Sequence, residues 1–281
     1  MKLLSGYRSL FLITCSALGF DVSFAQAPAL EIHTANAQLT DNIRAHVRLP
    51  SISCASDDAE LAHALRSREA TLANTVQRAS QAVGFYSAEP QINIEKTSDC
   101  WLLSIAVEAG DPVLIKSVAI SIATDADLFA STLETLPLRE GRQLSHGDYE
   151  AAKAELSASA LELGFLDARF TLARLTIDKP LSAASIELAL DLGTRHRFGA
   201  INFDTGDALS NDFVSRFVAF NESDFYSPQK LLDLRSALND SQYFADISIT
   251  PRLDSETSDL VPIDLVMTSR PRRVYEYGAG I

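Results

Sequence analysis

Between residues 148 and 175 the apolar positions keep helical spacing and then change to strand spacing. Tyr149, Ala152, Leu156, Ala160 and Leu163 fall three or four apart, with Lys153, Glu155 and Glu162 off that stripe. This predicts a helix with one buried face. Gly164 stops it, since a glycine just past the last turn takes the left-handed conformation that satisfies the final carbonyls, and Phe165 and Leu166 can then fold back onto the stripe. From Arg169 the spacing is two (Phe170 and Leu172, then Leu175 and Ile177), which predicts a strand with one buried face.

The same pattern occurs twice more. Residues 58–83 read as one long helix, with Leu61, Leu65, Leu72, Val76, Ala79 and Val83 on one side, followed by Gly84-Phe85-Tyr86. Leu231, Leu234 and Leu238 precede Gln242-Tyr243-Phe244. With Gly84, Gly164 and Gln242 taken as equivalent, the steps are 80 and 78 residues. That is a repeat of small domains and is longer than a solenoid unit. Each anchor is followed by two alternating segments that read as a hairpin. Each long helix is preceded by a strand (30–34, 115–122, 198–203) and a shorter helix (40–48, 126–136, 210–218). Every unit is therefore β-α-α-β-β, an α+β fold in which a three-stranded sheet hides its apolar face under two helices. The expected boundaries are 28–110, 111–193 and 194–269. The junctions, such as Glu108-Ala109-Gly110-Asp111-Pro112, are too short for flexible tethers and predict a bent rod with limited hinge freedom.

Composition adds compartment and excludes some partners. The 281 residues carry a net charge of −13; the first 25 contribute Lys2, Arg8 and Asp21, a net +1, so the rest carries −14. Such a surface argues against nucleic acid, whose binding needs clustered Lys and Arg. Lys2 and Arg8 precede an apolar run over 10–20, and small residues stand at Ser23, Ala25 and Ala27. This predicts a secretory signal peptide over 1–27, because the run is too short to span a bilayer. Only Cys54 and Cys100 then remain, and in an exported chain two thiols are most simply one disulfide. The two lie 46 apart in sequence, and such a bridge is expected to stabilise the first unit by about 4 kcal/mol on chain-entropy grounds. Two cysteines without further ligands are too few for a metal site, and the five histidines show no ligand spacing. No cofactor is expected.

Three β-α-α-β-β units behind a signal peptide resemble the POTRA domains of outer-membrane assembly proteins. In detail, Gly147-Asp148-Tyr149-Glu150, the helix end at Gly164-Phe165, and Arg195-His196-Arg197-Phe198-Gly199 with Ile201 and Phe203 are similar to the second and third POTRA domains of the TamA family, the outer-membrane subunits of the translocation and assembly module. The tail over 270–280 resembles the entry into that family's barrel. The resemblance covers nearly all of the chain after residue 27 and is loosest in the first unit. It implies a periplasmic array at the outer membrane of a Gram-negative bacterium, with residues 270–281 as the start of a truncated barrel. It also implies a TamB-like inner-membrane-anchored partner engaged by the first unit, and unfolded outer-membrane or autotransporter clients. Other readings are the array of the general barrel-assembly machine, which usually has five such domains, or of a two-partner secretion transporter, which usually has two.

The resemblance also places the second strand of each unit at a sheet edge, where unpaired backbone groups accept an extended peptide by β-augmentation. Those strands are 91–96, 169–177 and 246–252. The first two rank higher, because Pro251 removes a donor from the third. The expected contact residues are Gln91, Ile92, Asn93 and Ile94, and Arg169, Phe170, Thr171 and Leu172. Covering by a neighbouring unit is the competing expectation for each edge. Arg270, Arg272 and Arg273 read either as membrane-proximal contacts to lipid head groups or an acidic partner, or as a solvated junction.

Enzyme signals are weak, and no catalytic residue is expected. Asp204-Thr205-Gly206 matches the triplet of aspartic peptidases, but that chemistry needs two carboxylates sharing a proton. A turn built from Asp and Gly explains it. Ser145, His146 and Asp148 invite a triad, yet Ser145 as a helix cap with Asp148 in the first turn accounts for them.

Overall fold

The computed structural model describes residues 27–270, apart from 52, 55, 56, 99, 207, 208 and 254–258. The signal-peptide segment and the tail from 271 lie outside the described residues. The first unit contains β1 (Ala29–His33), α1 (Ala37–His46), α2 (Asp58–Arg66), α3 (Glu69–Ala82), β2 (Glu89–Lys96) and β3 (Trp101–Glu108). The second contains β4 (Leu114–Ile122), a 3-10 turn running into α4 (Ala130–Thr135), α5 (His146–Glu162), β5 (Arg169–Asp178) and β6 (Ala183–Asp191). The third contains β7 (Arg197–Asp204), α6 (Asn211–Val214) extended by a 3-10 turn, α7 (Pro228–Asp240), β8 (Phe244–Pro251) and β9 (Leu260–Ser269).

Each unit forms one mixed sheet with its third strand in the centre, in the orders β1-β3-β2, β4-β6-β5 and β7-β9-β8. The central strand runs parallel to the first strand and antiparallel to the second. Alternate residues of the central strands are buried, including Leu103, Ile105, Ile186, Leu188, Ile263 and Leu265, and the helix stripes close over them. The α5 stripe is as the spacing predicts, with Tyr149, Ala152, Leu156 and Ala160 all buried. Local caps agree with the sequence too. Ser145 Oγ accepts the Asp148 N–H at 3.2 Å, and Ser210 Oγ accepts the Phe213 N–H at 3.3 Å.

Two expectations need correction. The helix over 58–83 is two helices, broken at Ser67 and Arg68. Leu61 and Leu65 share the spacing of Leu72 and Val76 but bury against Trp101, in a cluster separate from the unit's main core. In β5, Leu172 does not join the core of the second unit, although Phe170, Leu175 and Ile177 do. Phe170 and Leu175 are five apart and would face opposite ways in a regular strand. A bulge between Phe170 and Leu172 supplies the extra residue and turns Leu172 outward.

Pro262 lies in β9, a central strand, beside a register shift between Phe198 and Ile201 of β7, and its carbonyl accepts the Arg252 N–H at 2.9 Å just past the end of β8. The strands approach so closely that a Cβ on Gly199 would stand 3.0 Å from Pro262 N and 3.1 Å from Val261 C.

Units are joined by backbone contact at the helix stops. The Val113 N–H donates to Gly84 O at 2.9 Å, and the His196 N–H to Gly164 O at 2.7 Å. The carbonyl before each glycine takes a side-chain donor from the next unit, Gln143 Nε2 on Val83 O at 2.6 Å and Arg195 Nε on Leu163 O at 2.8 Å. Tyr86 packs into the core of the second unit, and Leu166, its counterpart, into that of the third.

Candidate functional site

With the third strand central, both the first and the second strand of every sheet are edges. The second strands are where partner contact is expected, and they differ. β2 keeps an unbroken register with β3 from Glu89 to Lys96. Its exposure alternates, Gln91 and Asn93 exposed and Ile92 and Ile94 half-buried. A groove of about 390 Å³ runs beside it, lined by Arg66, Glu69, Ala70 and Ala73 of the helices and by Pro90 and Ile92. β5 carries the bulge at Thr171, whose hydroxyl turns back to Ala189 O at 3.3 Å. Its Arg169 and Arg174 are held to Asp191 and Glu187 of β6. β8 is bulged between Phe244 and Asp246 and ends at Pro251. Bulges and cross-strand charges are common ways of blunting an edge, so β2 is the straightest of the three.

The far end of β2 is flanked by α2 and the disulfide, with Glu95 and Lys96 still exposed. Cys54 and Cys100 are joined in a disulfide with Cα atoms 5.3 Å apart. Lys96 pairs with Asp58 at the start of α2. The Lys96 ammonium holds the Asp58 carboxyl below its usual range, against a smaller opposing effect of desolvation. Trp101 Nε1 is turned toward the same carboxylate and helps keep it ionised, without closing a hydrogen bond.

The second joint carries a cationic stack. The Arg195 and Arg197 guanidiniums lie 3.6 and 4.0 Å from the centroid of Phe225. Desolvation pushes Arg195 below the usual guanidinium range, a nearby Asp125 opposes this, and Arg197 adds to it. Arg197 Nη1 donates to Ser223 O at 2.6 Å. Sequence reading took Arg195-His196-Arg197-Phe198-Gly199 only as a resemblance; the structure places Arg195 across the joint, on Leu163 O and over Phe165, and Arg197 beside it on Phe225 and Ser223 of the same unit. Phe225 was missed, because nothing in its local spacing marks it as their partner.

The remaining candidates fall in structural roles. Asp204 is exposed and accepts the Gly206 N–H at 3.4 Å, while Thr205 Oγ1 donates to Leu209 O at 2.7 Å, so the triplet is a turn. His146 Nε2 is bonded to Tyr86 OH at 2.5 Å across the first joint. Arg270 is tied down, its N–H on Tyr243 O at 2.8 Å and its Nε on Phe244 O at 2.7 Å. Arg272 and Arg273 lie outside the described residues. Among the described residues no group of His, Cys, Asp and Glu is placed to hold a metal ion, and no helix is long and apolar enough to cross a membrane.

The fold is α+β, three tandem β-α-α-β-β units that resemble tandem POTRA domains. Residues 29–109 match the family model described as POTRA domain TamA domain 1. The match falls on the unit where the residue-level resemblance was loosest. Among solved structures, the chain is similar to the POTRA3-5 segment of Haemophilus influenzae BamA, at 13% identity and TM-score 0.48, over 87% of this chain and 96% of that one. It is also similar to Haemophilus ducreyi BamA lacking POTRA domains 1-3 (16%, TM-score 0.46) and to CdiB from Acinetobacter baumannii (16%, TM-score 0.32). It covers 56% and 57% of itself in these matches, against 29% and 30% of those chains.

Proposed function

We propose that this chain is the periplasmic part of a TamA-like outer-membrane assembly factor, and that it receives extended segments of unfolded barrel or autotransporter clients by β-augmentation. The observation that carries the reading is the match of residues 29–109 to the first POTRA domain of TamA, on a unit whose β2 edge is straight and flanked by a groove. An extended segment added to β2 satisfies its outward N–H and C=O groups, and main-chain pairing needs no side-chain code, which suits varied clients. In this reading the domains are 28–110, 111–193 and 194–269. The first unit also meets a TamB-like inner-membrane-anchored protein, and residues 270–281 lead toward a barrel in the outer membrane.

The test is site-directed photocrosslinking in the full chain, with probes at Gln91, Asn93, Thr171 and Ser248 and an alternating barrel-strand peptide as client. Crosslinks concentrated at Gln91 and Asn93 are expected. A uniform distribution, or none, sinks the edge assignment. Recovery of a TamB-like protein from membranes distinguishes this family from a general barrel-assembly or two-partner secretion array.

A further inference from the structure

The first unit has a second, smaller apolar cluster, which meets the main core only through Ile94 among the described residues. Leu61, Ala62 and Leu65 on α2 are buried against Trp101, Ile94 and Cys100, apart from the main core formed by α1, α3 and the strands. The α2 segment is short, nine residues, and is broken from α3 at Ser67 and Arg68. A helix of that length is not stable alone in water. Its other attachments are the exposed Asp58 to Lys96 ion pair and the disulfide just upstream, which ties Cys54 to Cys100 at the entrance of β3. Arg66 at its end stands 6.0 Å from the Trp101 ring centroid. The segment thus lies across the turn end of the β2–β3 hairpin, and among the described residues its one covalent fastening to that end is the disulfide.

We propose that α2 is a redox-latched strap over that end of the sheet. A protein dithiol attacks the half-buried bridge; its two thiols supply two electrons and two protons, Cys54 and Cys100 leave as thiols, and the donor becomes a disulfide. The strap's closure then rests on a few apolar contacts and one solvent-screened ion pair, while the loop regains the conformational freedom that the bridge removed. Opening bares Trp101 and Ile94 and frees Lys96. The consequence for binding rests on the edge reading above: the reduced protein adds the apolar surface of Ile94 and Trp101 to the β2 edge, and the oxidised protein keeps that surface under α2.

The chain contains one tryptophan, and it is Trp101 under the strap, so its emission reports closure directly. In the full chain, reduction is expected to shift that emission to longer wavelength and lower hydrogen-exchange protection of residues 58–66 at least tenfold, while α3 and β1 to β3 keep theirs. The double variant Cys54→Ser, Cys100→Ser is expected to match the reduced protein. Should it fail to fold, reduction of the folded wild type decides. Unchanged protection over 58–66 in protein shown to carry two free thiols overturns the strap, as does loss of protection across the whole unit together. Crosslinking of the peptide at Glu95 is expected to rise on reduction. If the strap opens but crosslinking at Glu95 does not rise, the edge reading fails and the strap stands.

Discussion

At the scale of single residues, the glycines that end α3 and α5 do two things. Gly84 and Gly164 have φ of 89° and 93°, and a Cβ would stand 2.5 Å from Leu144 O at the first and 2.8 Å from Tyr226 O at the second. Both obstacles are backbone of the next unit, so glycine is required for docking as well as for stopping the helix. Gln242, at the equivalent place in the third unit, adopts φ of 60° and is exposed. Gly84→Ala and Gly164→Ala are each expected to cost more than the roughly 1–2 kcal/mol of the backbone conformation alone. Gln242→Gly is expected to stabilise by about 0.5–1 kcal/mol, the relief of strain less the added flexibility of glycine. Urea titration of the three variants checks the contrast in sign.

Asp58 is the residue whose titration touches the strap. Lys96 depresses its folded pKa below the usual 3.8, so its contribution is present above the unfolded value and is lost as pH falls through the folded one. Acidification below the ordinary carboxylate range is expected to lower amide protection, measured against the intrinsic exchange rate at each pH, in the first turn of α2. The change should be absent in Asp58→Asn; the same acid response in both proteins removes the ion pair from the account.

At the scale of elements, one extra residue decides which face a side chain takes. The bulge at Thr171 sends Leu172 outward and breaks the regular edge of β5 near its start, and the bulge at the head of β8 does the same there. The helix stripe of the first unit shows a related limit. Leu61, Leu65, Leu72 and Val76 keep helical spacing through Ser67 and Arg68, so periodicity sees one helix where the chain turns and sends two leucines to a separate cluster. Periodicity records which positions are apolar; it does not record which apolar surface each one meets.

At the scale of the whole molecule, both joints repeat one hydrogen-bonded plan, yet they are fastened by different side chains. The first has the Tyr86 to His146 bond, and in the second Arg195, braced on the Phe225 ring of its own unit, reaches Leu163 O and lies over Phe165 of the unit before. Cation–π contacts contribute about 0.5–2 kcal/mol each, more where water is excluded. Phe225→Ala is therefore expected to broaden the distance distribution between spin labels placed on the second and third units, and to leave that between the first and second unchanged. An unaltered distribution at the second joint shows that its backbone bonds suffice.

The repeat, the order of elements and the central cores were legible in the sequence, because helix and strand impose periods of 3.6 and 2 on any chain that buries one face. The two cysteines beyond the expected signal peptide likewise left one simple pairing, and Cys54 and Cys100 make it. What only the tertiary structure decided lies where neighbours meet. The glycine stops are fixed by the backbone of the following unit, Gly199 by the approach of β9, and Leu172 by a bulge that local spacing does not announce. Phe225 became a partner of two arginines, and Trp101 the floor beneath α2, through contacts between segments distant in the chain. Periodicity is a property of one segment, whereas docking is a property of two surfaces, and one segment cannot state the shape of the other.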